Sequence, residues 1–113
     1  MSGLSTHVLD TALGKPVKGI RIQLAVRDSV GEFEPLFSGT TDDDGRVRDL
    51  LAGQQLQART FRMTFETGPY LKTTHASDFY PQIEITFSVA APGEHHHIPL
   101  LLSPFGYSTY RGS

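Results

Sequence analysis

The chain has 113 residues, a length that suits one domain over 1–113 and buries roughly two thirds of its unfolded surface, so its core needs no covalent staples. It has no cysteine, which excludes disulfides and thiolate chemistry, and its formal charge of 10 − 12 = −2 comes without a basic block, which argues against nucleic acid or an acidic membrane as partner. No apolar run approaches a membrane span, and MSGLSTHVLD lacks the charged start and apolar stretch of a secretory signal, so the expected setting is cytoplasmic.

Period two dominates the pattern. Leu4 to Leu9 places Leu4, Thr6 and Val8 on one face of a strand and Ser5, His7 and Leu9 on the other. Ile20, Ile22, Leu24 and Val26 alternate with Arg21, Gln23, Ala25 and Arg27, as a strand with one buried face does. Glu34 to Ser38 is a further strand, followed by a turn at Asp42-Asp43-Asp44-Gly45. Phe61, Met63 and Phe65 alternate with Thr60, Arg62 and Thr64. Gly68 to Ala76 is the one stretch with helical spacing, through Tyr70, Leu71 and Thr74. Ile83, Ile85, Phe87 and Val89 then alternate with Gln82, Glu84, Thr86 and Ser88. In the histidine run, His95 and His97 share a face with Pro99 and Leu101, while His96 shares the other with Ile98 and Leu100. Leu100 to Ser103 and Tyr107 to Tyr110 complete the series, separated by Pro104-Phe105-Gly106. Short strands between Gly, Pro and Asp turns predict an antiparallel β-sandwich. Its edges need covering, and subunit pairing is one way to do so.

Imidazole titrates near neutrality and is the usual general base, so His7 and His97 are candidates, although a lone strand histidine is more often a surface or structural residue. Arg46, just past the Asp44-Gly45 turn, has the fork of donors that holds a planar, oxygen-rich ligand; the plain alternative is a solvated turn arginine. Arg111 and Ser113 lie in the tail, where Ser113 carries the terminal carboxylate. There is no nucleophile elbow, phosphate loop or paired-cysteine signature. These patterns reach a soluble all-β sandwich with scattered candidates and stop there.

The tail HHHIPLLLSPFGYSTYRGS closely resembles the C-terminal signature of the 5-hydroxyisourate hydrolases, the transthyretin-like enzymes of urate breakdown, and YRGS is its most specific part. LSTHVLDTALGKPVKGIRIQL, TDDDGRV and GPYLKTTHASDFYPQIEITF resemble the same family's opening strands, middle motif, and helix with following strand. Transthyretin shares LSPxxYST but lacks the histidines and the YRGS ending, so the enzyme branch is favoured over a non-enzymatic carrier of a small aromatic ligand. The resemblance implies a transthyretin-like sandwich of two four-stranded sheets with one short helix. It also implies a homotetramer, a dimer of dimers, with active sites in a channel at the dimer–dimer interface.

The implied reaction is hydrolysis of 5-hydroxyisourate at its N1–C6 bond, giving 2-oxo-4-hydroxy-4-carboxy-5-ureidoimidazoline. The resemblance assigns catalysis to His7, Arg46 and His97, and substrate contacts to His7, Arg46, Tyr110, Arg111 and Ser113. His95 matches the first histidine of the family's usual His-Tyr-His, and His96 stands where the tyrosine is usual. His7, His95 and His97 would also suit an open zinc site. No ligating carboxylate or cysteine accompanies them and the family chemistry needs none, so neither metal nor cofactor is expected.

Overall fold

The computed structural model describes residues 3–112. Its elements in chain order are β1 (Gly3–Asp10), β2 (Lys15–Pro16), β3 (Arg21–Arg27), β4 (Phe33–Thr40), β5 (Arg46–Val47), β6 (Thr60–Glu66), α1 (Gly68–His75), β7 (Ile83–Ser88), β8 (His95–Ser103) and β9 (Gly106–Thr109). None of the described helices is long and apolar enough to cross a membrane.

One sheet runs β4-β3-β6-β7 and is antiparallel throughout. Its alternation is the one the sequence carries: Ile22, Leu24 and Val26 of β3 and Phe61, Met63 and Phe65 of β6 are buried, while Arg21, Gln23 and Arg27 face water. The other sheet holds β1, β8 and β9 side by side, and the free edge of β1 is completed in two pieces. There β5 pairs with Thr6 and His7, and β2 pairs with Leu9 and Asp10. This sheet therefore has five strands in four positions, within the expected two-sheet, one-helix sandwich.

One pairing departs from an antiparallel sandwich. β1 runs parallel to β8, in register from Gly3 opposite His95 to Asp10 opposite Leu102. Adjacent strands joined by a tight turn must run antiparallel, but these two are separated by the whole second sheet and the helix, a crossover long enough to return the chain in the same direction. Leu4, Val8, Ile98, Leu100 and Leu102 of this sheet meet Ile22, Leu24, Met63 and Phe65 of the other, all buried. Each such side chain contributes about 1.5–3 kcal/mol on burial. Thr6 is also fully buried on this face, and its hydroxyl donates to the Ile98 carbonyl at 2.5 Å, so it carries no desolvation cost unmet.

The helix starts with a proline in its first turn and stops at Ala76, left-handed at φ 54°, where the Ala76 N–H donates to the Lys72 carbonyl and the Ser77 N–H to that of Leu71. It is tied to β1 through Asp10. Oδ2 of that carboxylate accepts from the Tyr70 hydroxyl at 2.5 Å and from His75 Nε2–H at 2.7 Å, and Oδ1 accepts the Ala12 and Leu13 amides, each at 2.9 Å. Burial alone raises the Asp10 pKa, but the Tyr70 and His75 hydrogen bonds outweigh it and hold the carboxyl below its usual range. Burial and the same carboxylate push the Tyr70 phenol up to about 12. His75 is thus a structural histidine.

Candidate active site

On β1 the side chains of Ser5 and His7 share the face turned away from the core, and on β8 His95 and His97 do the same. The parallel register sets Ser5 opposite His97 and Gly3 opposite His95. Ser5 Oγ lies 2.8 Å from His97 Nδ1 and 2.8 Å from His95 Nε2, bridging the two rings. A side chain at Gly3 would bring its Cβ to 3.0 Å from His95 Nδ1, so glycine leaves that ring its space. His96 faces the core, 5% exposed, with Nδ1–H donating to the Glu94 carbonyl at 2.9 Å. Strand parity had separated it from its two neighbours in this way.

Arg46 reaches the same face because it is the cross-strand partner of His7, and directly opposed residues point to one side. The preceding turn aims it. Asp42 Oδ1 accepts the amides of Asp44 and Arg46, and Gly45 adopts φ 75°, where a Cβ would lie 2.6 Å from the Val8 carbonyl oxygen. Only glycine fits that position.

A cleft of about 280 Å³ is lined by Ser5, Thr6, Arg46, Arg48, His95 and His97. An adjoining open hollow of about 620 Å³ is lined by His7, Leu9, Pro16, Asp44, Arg46 and Arg48. The two arginines are the shared wall, with His97 on one side and His7 on the other. Strand rise and spacing put the Cα atoms of His7 and His97 roughly 8 Å apart, diagonal neighbours on one sheet face. His7, Arg46 and His97 are therefore brought together. A second hollow of about 430 Å³ lies against β3, β4 and β6, lined by Phe33, Pro35, Phe37 and Arg62 among others. It is larger than the cleft but holds no imidazole, and its arginine sits over the Phe33 ring at 4.4 Å.

Both site histidines bind protons more weakly than a free imidazole. For His97 the causes are burial, then the Arg46 charge, then His7 and His95. For His7 they are burial and Arg46, partly offset by its hydrogen bond to Asp44. That bond, Nε2 to the Asp44 carbonyl at 2.8 Å, also fixes a tautomer: a carbonyl only accepts, so Nε2 carries the proton and neutral His7 presents Nδ1 as an acceptor. Two neutral imidazoles and two guanidiniums, with Asp44 as the one carboxylate at the His7 end and paired with Arg48 at 3.4 Å, suit a planar, oxygen-rich, electron-rich ligand and a proton-accepting step. Among the described residues no group of three or more histidine, cysteine, aspartate or glutamate side chains is placed to hold a metal ion.

The tail is ordered through His97 itself. The Gly112 amide donates to the His97 carbonyl at 2.7 Å, and Thr109 Oγ1 donates to the Pro99 carbonyl at 2.7 Å. Tyr110 is exposed, and Arg111 pairs with Glu94 at 2.7 Å, so neither lines the cleft. Ser113 lies outside the described residues. Sequence reasoning did not single out Ser5, Arg48 or the bridging role of His95. Ser5 shares the His7 face by parity, but its partners are ninety residues away and only strand pairing reveals them.

Comparison with known proteins gives a consistent result. The sequence profile of the HIUase/Transthyretin family matches residues 4–112. The 5-hydroxyisourate hydrolase of Caulobacter vibrioides is 44% identical over 117 aligned positions, covering 100% of both chains. The Klebsiella pneumoniae 5-hydroxyisourate hydrolase structure superposes with a TM-score of 0.84 at 34% identity, covering 100% of each chain. Transthyretin from Sparus aurata superposes with a TM-score of 0.90 at 27% identity, covering 99% of this chain and 97% of its own.

Proposed function

The chain belongs to the HIUase/Transthyretin family and is a hydrolase, and on that premise we propose that it opens the six-membered ring of 5-hydroxyisourate. The observation that carries this reading is the convergence of His7, Arg46 and His97 on one sheet face, with Arg46 lining both the His97 cleft and the His7 hollow. In this reading a water is deprotonated by His97 Nε2 as its oxygen attacks C6. The oxyanion formed at C6 is stabilised by Arg46, an interaction that strengthens where water is excluded. The N1–C6 bond then breaks, and the proton held by His97 passes to N1. His7, its Nε2–H already given to Asp44, orients the water or a ring N–H through Nδ1. The product is 2-oxo-4-hydroxy-4-carboxy-5-ureidoimidazoline. A positioned base of this kind contributes about a hundredfold to ten-thousandfold in rate.

The proposed assembly is a homotetramer, a dimer of dimers, in which a neighbouring subunit covers the cleft that is open on one protomer. Tyr110, Arg111 and Ser113 would contact substrate in that closed channel. The proposed setting is cytoplasmic. A carrier of an aromatic ligand calls for mainly apolar walls, whereas this cleft is walled by imidazoles and guanidiniums. The test follows the ultraviolet absorbance of freshly made 5-hydroxyisourate with and without protein. Accelerated decay is expected, with kcat lowered about tenfold or more by His97→Ala and by His7→Ala, and insensitivity to chelators. Decay at the spontaneous rate would overturn the reading.

A further inference from the structure

We propose that Ser5 is a positioning residue that, together with His95, holds neutral His97 in the tautomer protonated on Nδ1; the role rests on the reading of His97 as the base. A serine hydroxyl has one proton to donate and lone pairs to accept with. Ser5 Oγ stands 2.8 Å from His97 Nδ1 and 2.8 Å from His95 Nε2, so it donates to one ring and accepts N–H from the other. Two arrangements satisfy both contacts.

In the first, Ser5 donates to His97 Nδ1. Neutral His97 then carries its proton on Nε2 and has no lone pair left for a water. In the second, Ser5 donates to His95 Nε2 and accepts Nδ1–H from His97, which frees the lone pair of His97 Nε2. Only the second makes His97 a base.

The surroundings select it. Nε2 of His97 has no hydrogen-bond partner among the described residues, and its ring shares the cleft with the Arg46 guanidinium, which favours a lone pair over an N–H there, while Arg48 is paired with Asp44 at 3.4 Å. His95 is exposed, and in this arrangement its proton sits on Nδ1, beside Gly3, where water can solvate it. The proton balance closes without export along the chain: water gives a proton to His97 Nε2, its oxygen bonds to the carbonyl carbon, the C–N bond breaks, and the same proton goes to nitrogen. Ser5 and His95 move no proton. They decide which nitrogen is ready to receive one.

The experiment pairs nitrogen-15 NMR of the histidine rings with steady-state kinetics on the full chain. In the unaltered protein above the His97 pKa, Nδ1 is expected to be the protonated nitrogen of His97. Ser5→Ala is expected to lose that signature and to lower kcat about a hundredfold, the low end of a general base's contribution, with KM changed less than about twofold because Ser5 touches no reacting atom. Ser5→Thr keeps the hydroxyl and should restore both readouts. His95→Ala frees Ser5 to donate to His97 and should shift the tautomer toward Nε2. His97 protonated on Nε2 in the unaltered protein, or Ser5→Ala with unchanged tautomer and kcat, overturns the proposal. A protein that leaves 5-hydroxyisourate untouched while His97 is protonated on Nδ1 would instead sink the substrate assignment, so the two failures are told apart.

Discussion

Replacing Gly112 with alanine should damage turnover while sparing the fold. An added Cβ would stand 2.8 Å from His97 Cδ2 and 3.3 Å from its Cβ and Cγ, against an ordinary contact that begins at 3.4 Å. The shortfall, 3.4 − 2.8, means that the ring or the tail must yield by about 0.6 Å. If the ring yields, its 2.8 Å hydrogen bond to Ser5 stretches toward 3.4 Å, the limit of a useful bond. Misplacing a catalytic group by 1 Å costs about a hundredfold, so a shift of roughly 0.6 Å should cost kcat about tenfold, or about 1.4 kcal/mol of barrier. Alanine is compatible with the backbone, because Gly112 is not among the glycines with positive φ, and its amide keeps the bond to the His97 carbonyl. The assay is initial-rate decay of fresh 5-hydroxyisourate, run beside a thermal melt and size-exclusion chromatography. A variant with kcat within twofold of the parent would refute the claim that the tail glycine exists to let the chain close against His97. A variant that melts or dissociates would show that the tail serves folding or assembly instead.

Further outcomes follow from the same geometry. In the proposed mechanism His7 and His97 act as neutral imidazoles, and both have pKa values below the ordinary 6.5, so the base form persists as pH falls past that value. The acid limb of kcat/KM should therefore have its midpoint below 6.5, and Arg46→Met should move the midpoint upward while lowering kcat. Gly45→Ala forces a non-glycine residue to φ 75° with its Cβ 2.6 Å from the Val8 carbonyl. It should cost at least the 1–2 kcal/mol of a left-handed alanine, roughly, in denaturant unfolding. Asp10→Ala strips a fully buried carboxylate from Tyr70 and His75 and should destabilise the fold by about 3–5 kcal/mol. Because the folded Asp10 pKa lies below its usual 3.8, its contribution is complete above that value and is lost as pH falls through the lowered one. Asp10→Asn should flatten that acid limb of stability in urea titrations between pH 2 and 5, roughly.

Much of this architecture is legible in the sequence because burial on one face writes itself as alternation. The strands at β1, β3, β6 and β7 and the helix at Gly68–His75 follow their expected positions within a residue or two. The sequence misses β2 and β5, since two residues are too few to show a period, yet β5 carries Arg46. It also names the last long strand only from Leu100, whereas β8 begins at His95, although the face parity read over His95 to Leu101 is already that of the strand. Above all, periodicity gives each strand's faces but not its neighbours. The pairing of Ser5 with two rings on β8 is a fact about strand order, and strand order depends on which faces meet in the core. The roles of His7, Arg46 and His97 came from the resemblance of separated motifs, not from any spacing that a single strand could display.

The register of β1 against β8 is consequently the hinge between stability and chemistry. The buried set Ile98, Leu100 and Leu102 must face the second sheet, and it is continuous in parity with His96. Sliding β8 by one residue would expose those three apolar side chains and turn His95 and His97 into the core. Burying that much apolar surface is worth several kcal/mol, about 1.5–3 kcal/mol for each side chain, so the core excludes the slipped state. The same constraint delivers two imidazoles, never one or three, to the face where Ser5, His7 and Arg46 wait. A run of three histidines is thus not a threefold site. His96 is spent on the Glu94 carbonyl beneath the sheet, and the residues that pack Ile98, Leu100 and Leu102 decide which of the three rings line the cleft.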